Sequence, residues 1–327
     1  MTTRRLLTIA AATAVTALAL WLSFRNVDWT EVGNALARAN YAWIAGAVAI
    51  SLIDVCFLGF RWRLLLAPRA RVSMPMLFRL NIIAQYINIL MPARVNEVLR
   101  AWMISREACI PGGFALGTVA IERIFDVAIF MALWVASPAL FAGRATSFPP
   151  AAAYVSGGLA IGVLVLFVLR PDAFLKVASL AFKVLPPGLR EKAERFTESG
   201  IEAFAGFKNT KAAVAVALLS LGILVFRVLP LVFVARALRL ELTVGAALFV
   251  LLVRQLGEIP PAAPGKIGIF EYTVIVALAA FGVARTPALS YAVMLHLVSQ
   301  VPKIILGGAF VGLRGIPRAN RESANQG

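Results

Sequence analysis

The stretch "ILMPARVNEVLRAWMISR" (89–106) places Arg94, Glu97 and Arg100 three residues apart, just after a proline, in a chain otherwise rich in apolar residues. On a helix that spacing puts all three on one face, where Glu97 can bridge both arginines. Two readings stand side by side. One is an interfacial amphipathic helix with its charges in the headgroup layer. The other is an anion site at the floor of a cavity, since a helix that restarts after a break aims its N-terminal amides and positive dipole end at any phosphate there.

A second constellation lies in "VAIERIFDVAIFMALWV", where Glu122, Arg123 and Asp126 sit near the start of a long apolar run. Ionised groups there are costly unless paired or hydrated. Arg123 reaches Asp126 at a spacing of three, either as a self-neutralising pair or to hold a lipid phosphate that a neighbouring carboxylate releases. A third set is Arg254 and Glu258, four apart, followed by "PPAAPGKIGIFEY" with Lys266 and Glu271, where Gly265 and Gly268 permit close backbone approach. "PGK" is not a nucleotide-binding loop, because position 260 would need glycine and holds proline.

The candidate substrate-binding residues are therefore Arg94, Glu97, Arg100, Glu122, Arg123, Asp126, Arg254, Glu258, Lys266 and Glu271. No catalytic residue, metal site or cofactor is expected; Cys56 and Cys109 lack metal-ligand spacing and support no disulfide framework. Asp54, Arg61 and Arg63 read mainly as groups at the ends of one helix, the arginines as cytoplasmic anchors. Arg227 lies mid-span and needs a partner such as Asp54 or Glu258. Arg79, Asn81, Gln85 and Asn88 give one helix a polar side, and His296 reads as a helix-to-helix tie.

The elements that must position these groups are helices in a bilayer. Of 327 residues, 61% are hydrophobic and 15% charged, with a mean hydropathy of +0.85, against about half apolar and a quarter charged in a soluble domain. The formal charge of +16 is spread between apolar runs without aromatic interleaving, which argues for topology and lipid phosphate and against nucleic acid. Runs of spanning length fall near 6–22, 41–60, 114–142, 150–169, 212–235 and 287–313. The first has a basic start and could be a signal peptide, but reads better as an uncleaved helix.

Loops rich in Lys and Arg stay cytoplasmic: residues 61–71, 170–211 with eight basic residues, and the tail. Both termini are thus expected inside the cell inner membrane. Segments 73–110 and 243–283 do not read as simple spans. Each opens with Ser or Thr as N-cap, runs about 17 residues, breaks at Pro and resumes around Glu97 or Glu271, at an offset of about 170 to 176 residues. The expectation is an all-α polytopic integral membrane protein with one transmembrane domain over 1–327. It has about six full spans plus two broken or re-entrant helix pairs in inverted halves, 41–142 and 212–313, joined by a cytoplasmic amphipathic connection, 170–211. Broken helices of inverted repeats meet near the midplane and build the substrate site.

At these residues the chain resembles the flippase-like family that includes the transmembrane region of lysylphosphatidylglycerol synthases. The likeness covers about 41–313. It rests on "RW" (Arg61, Trp62), on "P-x-R-x-x-E-x-x-R" (Pro92, Arg94, Glu97, Arg100), on "ER-x-x-D" (Glu122, Arg123, Asp126) and on "PGKIGIFE" ending at Glu271. Asn96 stands where the family usually has glycine, and "PGKIGIFE" replaces its usual "GGLGxxE". The resemblance implies translocation of lipids or lipid-linked headgroups, with the synthase activity of fused relatives in a cytosolic domain that this chain is expected to lack.

The sequence thus points to a transporter-like, non-enzymatic protein that moves an anionic membrane lipid or lipid-linked headgroup. The alternative is an intramembrane transferase acting on a lipid-linked substrate. A lipid-modifying enzyme or a second copy of the chain is an expected partner.

Overall fold

The computed structural model describes residues 17–25, 27–91, 95–140, 210–257 and 264–314, and these are helical with short connections. After a helical piece at 17–24 come α1 (Trp29–Ala37), α2 (Tyr41–Leu66), α3 (Met74–Leu90), α4 (Asn96–Glu107) and α5 (Gly112–Leu140). The later group is α6 (Thr210–Ala237), α7 (Val244–Gly257), a 3-10 turn (Pro264–Lys266), α8 (Ile269–Ala279) and α9 (Arg285–Arg314). The chain is an all-helical polytopic membrane protein.

Local signals account for the boundaries. Asp28 accepts from the amides of Thr30 and Glu31 at 2.8 and 3.1 Å to start α1, and Asn40 accepts from Ala42 N at 3.0 Å to start α2; each satisfies amides that a helix leaves bare at its first turn. Thr243 caps α7 in the same way, from Ala246 N at 3.2 Å. Ser73 occupies the corresponding position before α3 but makes no side-chain bond, and Pro75 in the first turn removes one amide from the demand.

Three helices, Tyr41–Leu66, Lys211–Ala237 and Arg285–Leu313, are long and apolar enough to cross a bilayer. They match three of the expected spans. The run expected at 114–142 is one helix through residue 140, the 29-residue α5, which carries Glu122, Arg123 and Asp126. Most of 6–22 and all of 150–169 lie outside the described residues, as does nearly all of the 170–211 connection. Both interrupted segments are helix pairs: α3 then α4, and α7 then α8 around the 3-10 turn.

The helices share out two apolar cores. Trp62, Leu66, Leu77, Leu80, Met103 and Phe114 centre one among α2–α5, and Val234, Val250, Val274, Leu289 and Leu295 centre the other among α6–α9. The long helices α2 and α6 pack along each other, and α9 runs along α3. Lipid is as apolar as leucine, so such contacts depend on close packing rather than on expelling water. A Cβ at Gly307 would stand 2.3 Å from Tyr86 Cβ, and one at Gly257 would stand 2.0 Å from Thr273 Cγ2. Only glycine admits the α9–α3 and α7–α8 approaches at those points.

Candidate functional site

Between the helices lies a cleft of about 280 Å³. Its walls come from both groups: Asp54 on α2, Asn81, Gln85 and Asn88 on α3, Arg100 on α4, Arg123 on α5, Arg227 on α6, Arg254 on α7, Lys266 on the 3-10 turn, and Gln300 and Lys303 on α9. Among the described residues lining it, six are Arg or Lys and one, Asp54, is a carboxylate. Pro230 of α6 also lines it, and an internal proline leaves the carbonyl one turn earlier without its amide. In a membrane protein such backbone is tolerated where it faces protein or a wet cavity.

Beside the cleft is an ion network. Arg61 is fully buried; its Nη1 donates to Asp126 Oδ1 at 2.6 Å and to Ser220 Oγ at 2.9 Å, and its Nε stands 3.6 Å from Glu122 Oε1. Arg100 Nη1 stands 2.9 Å from Glu122 Oε2, and the Arg100 guanidinium lies 4.2 Å over the ring of Trp62. Trp62 in turn donates to Thr118 Oγ1 at 3.0 Å, fixing the indole beneath the cation. Asp126 Oδ2 is 3.2 Å from Arg123 Nη2 and 3.8 Å from Arg227 Nη2, so three arginines share one carboxylate. Arg123 also approaches Glu97, at 3.7 Å. Each buried ion loses several kcal/mol of hydration, and this sharing offsets the loss while leaving guanidinium groups at the cleft wall.

A second cluster fixes the turn that carries Lys266. Gly265 (φ 72°), Lys266 (φ 57°) and Gly268 (φ 90°) all have left-handed backbones, which costs the lysine about 1 kcal/mol or more. Glu271 Oε2 accepts from Gly268 N at 2.6 Å, and Glu271 Oε1 lies 2.5 Å from His296 Nδ1. His296 Nε2 lies 3.0 Å from Gly265 O. A carbonyl only accepts, so Nε2 is the nitrogen that donates there. Phe270 stacks on His296 at 4.4 Å, with the Arg254 guanidinium 5.5 Å from its ring.

These positions revise several expectations. Arg100, Arg123, Arg254 and Lys266 line the cleft, and Glu97, Glu122 and Asp126 stand in the network beside it. Glu271 belongs to the turn clasp, with His296 as the tie between helices. Arg94 and Glu258 lie outside the described residues. Glu97 does not pair with Arg100: α4 lies against α5, so the buried Arg100 meets Glu122 and the half-exposed Glu97 meets Arg123. Arg227 stands 3.8 Å from Asp126, a partner the sequence did not offer beside Asp54 and Glu258. Arg61 is no headgroup anchor but the buried centre of the network, whereas Arg63 is exposed.

Lys303 and Asp54 were not singled out as site residues either. One sequence signal bore on Arg61 and Asp54: they are seven residues apart, two helical turns, and so share the inward face of α2 with Leu58.

Fold and cleft together define a polytopic α-helical membrane protein with a basic chamber among its helices. Residues 9–307 match the lysylphosphatidylglycerol synthase TM region, and the chain belongs to that family. It is 30% identical over 362 residues to a protein of Haloferax volcanii named glycosyltransferase AglD, covering 98% of this chain and 57% of that protein. Two Methanocaldococcus jannaschii proteins are also similar: UPF0104 membrane protein MJ1078, 23% identical (68% of this chain, 91% of that one), and UPF0104 membrane protein MJ1595, 21% identical (85% and 86%).

The chain thus spans just over half the length of the glycosyltransferase-named relative. That relative overturns one expectation: likeness along nearly the whole of this chain to a protein with an enzyme's name removes the ground for calling the chain transporter-like and not an enzyme. What stands is a membrane-located, lipid-related protein.

Proposed function

We propose that this chain is the membrane-embedded part of a group-transfer system acting on a lipid-linked substrate. It holds the substrate's anionic headgroup in the basic cleft while the hydrocarbon tail stays in the bilayer. The observation that carries this reading is the six-to-one ratio of cations to carboxylates, among the described residues, lining a cleft among membrane helices. Arginine forks suit phosphate oxygens bidentately, and the amides of Asn81, Gln85, Gln255 and Gln300 suit hydroxyl groups on whatever the phosphate carries. Asp54 Oδ1 is buried without a hydrogen-bond partner among the described residues, which fits it to take a proton from an incoming hydroxyl. The enzyme name of the Haloferax relative supports the same reading.

A second reading is translocation of that headgroup between leaflets, favoured because the cleft takes walls from both helix groups. One proteoliposome experiment separates them. Labelled polyprenyl-phosphate-linked sugar and candidate hydroxyl-bearing acceptors are supplied, so that the acceptor oxygen displaces the lipid phosphate, and both transfer products and leaflet exchange are followed. A transfer product that disappears in Asp54→Asn supports transfer; faster exchange without a product supports translocation; failure of the lipid to bind at all removes both.

We also place the chain in the cell inner membrane with both termini cytoplasmic. In a Cys109→Ser background, Arg239→Cys should then react with an impermeant thiol reagent from outside, and protection would reverse that orientation.

A further inference from the structure

Given the reading that the cleft binds a lipid-linked anion, the donors near the start of α4 bear on where its phosphate sits. Asn96 and Arg100 are four residues apart on α4, and both line the cleft. Helical side chains lean toward the N-terminus of their own helix, so Arg100 reaches back toward the first turn. That turn has no side-chain cap, and the positive end of the helix dipole adjoins the cleft at Asn96.

Arg100 is 2% exposed, and its neighbours use only part of its guanidinium. Nη1 stands 2.9 Å from Glu122 Oε2, and the Trp62 ring lies 4.2 Å from the guanidinium carbon on one face. Nε and Nη2 are buried without a hydrogen-bond partner among the described residues. Their N–H bonds run parallel along one edge, the fork that matches two oxygens of a single phosphate. Asn81 of α3 repeats the pattern: it is 1% exposed, lines the cleft and has no partner for its Nδ2. Native proteins leave few buried donors without an acceptor. Here three such donors occur on two side chains of one cleft, beside an uncapped helix start. Because these N–H groups are already shut off from water, an oxyanion that reaches them gains the bonds without displacing their hydration.

We infer that the ligand's phosphate seats on the Nε–Nη2 edge of Arg100 at the start of α4, with the Asn81 amide nitrogen as a third donor. The Asn81 oxygen is left to accept from a hydroxyl. The chemistry recognised is an oxyanion with two oxygens on one side, carried by a lipid or free in solution.

The full chain in nanodiscs is titrated with geranylgeranyl phosphate, geranylgeraniol and inorganic phosphate. The unsubstituted protein should bind the lipid phosphate more tightly than the alcohol. Asn81→Leu should shrink that preference about tenfold, the loss of one charge-assisted bond. Its thermal stability should stay level or rise, because the apolar side chain removes an unsatisfied donor. Arg100→Lys keeps the charge and loses the fork, and should shrink the preference at least as much, whereas Arg63→Gln on the exposed side of α2 should leave it unchanged. An undiminished preference in either Asn81→Leu or Arg100→Lys overturns this seat and leaves the lipid-phosphate reading standing. So does an equal loss of affinity for phosphate and alcohol, which a merely structural role produces. No preference for the lipid phosphate in the unsubstituted protein overturns both. Inorganic phosphate that binds as tightly as the lipid phosphate, and weakens in Asn81→Leu, keeps the seat and assigns it to a soluble phosphate.

Discussion

Arg61 and Asp126 stand 65 residues apart in the chain and 2.6 Å apart in space, where they join α2 to α5. The same guanidinium reaches Ser220 of α6, so one side chain ties three long helices together. Removing it leaves the fully buried Glu122 and the largely buried Asp126 short of their shared cation. Arg61→Met should destabilise the protein by about 3–5 kcal/mol, read as a loss of thermal stability in detergent. A loss below 1 kcal/mol would show the carboxylates to be satisfied without Arg61.

The Glu97–Arg123 contact makes the opposite case. Its side chains are 33% and 40% exposed and 3.7 Å apart, in the range where ion pairs contribute about 0–1 kcal/mol. Glu97→Gln should therefore leave the melting point nearly unchanged. Because it also relieves Arg123 of one of its two carboxylates, lipid phosphate should bind as tightly as before or up to a few-fold more tightly. Weaker binding would place Glu97 itself among the groups that hold the headgroup.

On the proposed function, His296 acts on the headgroup through the turn that carries Lys266. His296→Ala removes both ties to the turn, at Glu271 and at Gly265 O. The left-handed Lys266 then loses the support that holds it. Phosphate-lipid affinity should fall several-fold although His296 does not line the cleft, and Lys266→Ala should add little further loss in that background. Full additivity of the two substitutions would separate the clasp from the lysine.

At Gly307 the test is steric. A side chain there collides with Tyr86, so Gly307→Val should force α9 off α3 at a cost of about 1–3 kcal/mol. Replacing Tyr86 by Ala in the same chain should recover part of that loss. No recovery would mean that the substitution acts elsewhere.

Hydropathy alone located α2, α6 and α9, because a spanning helix is a property of local composition. The two interruptions were legible for a similar reason: proline and glycine act on the backbone within a few residues. Spacing also revealed Arg123 with Asp126, since a pair three apart is fixed by the helix itself. Pairings between helices were not legible. Glu97 could satisfy Arg100 by spacing, yet α5 offers Arg100 the buried Glu122, and only packing decides between them. Arg61 was misread because an arginine near a helix end commonly anchors in headgroups, and the carboxylates that bury it lie about 60 residues away. Lys303 follows Pro302 in a helix that also carries His296 and Gln300, and its place at the cleft depends on how α9 crosses α3.

Asp126 meets its three arginines at unequal range, and Arg227 is the most distant at 3.8 Å. The cation facing the chamber is thus already stripped of much of its hydration but only loosely tethered, while Arg61 and Arg123 hold the carboxylate from the other sides. On the proposed function, an arriving headgroup would take over Arg227 without orphaning Asp126, and on its departure the guanidinium would return to the same carboxylate. Loading and unloading would then exchange one anion for another at Arg227.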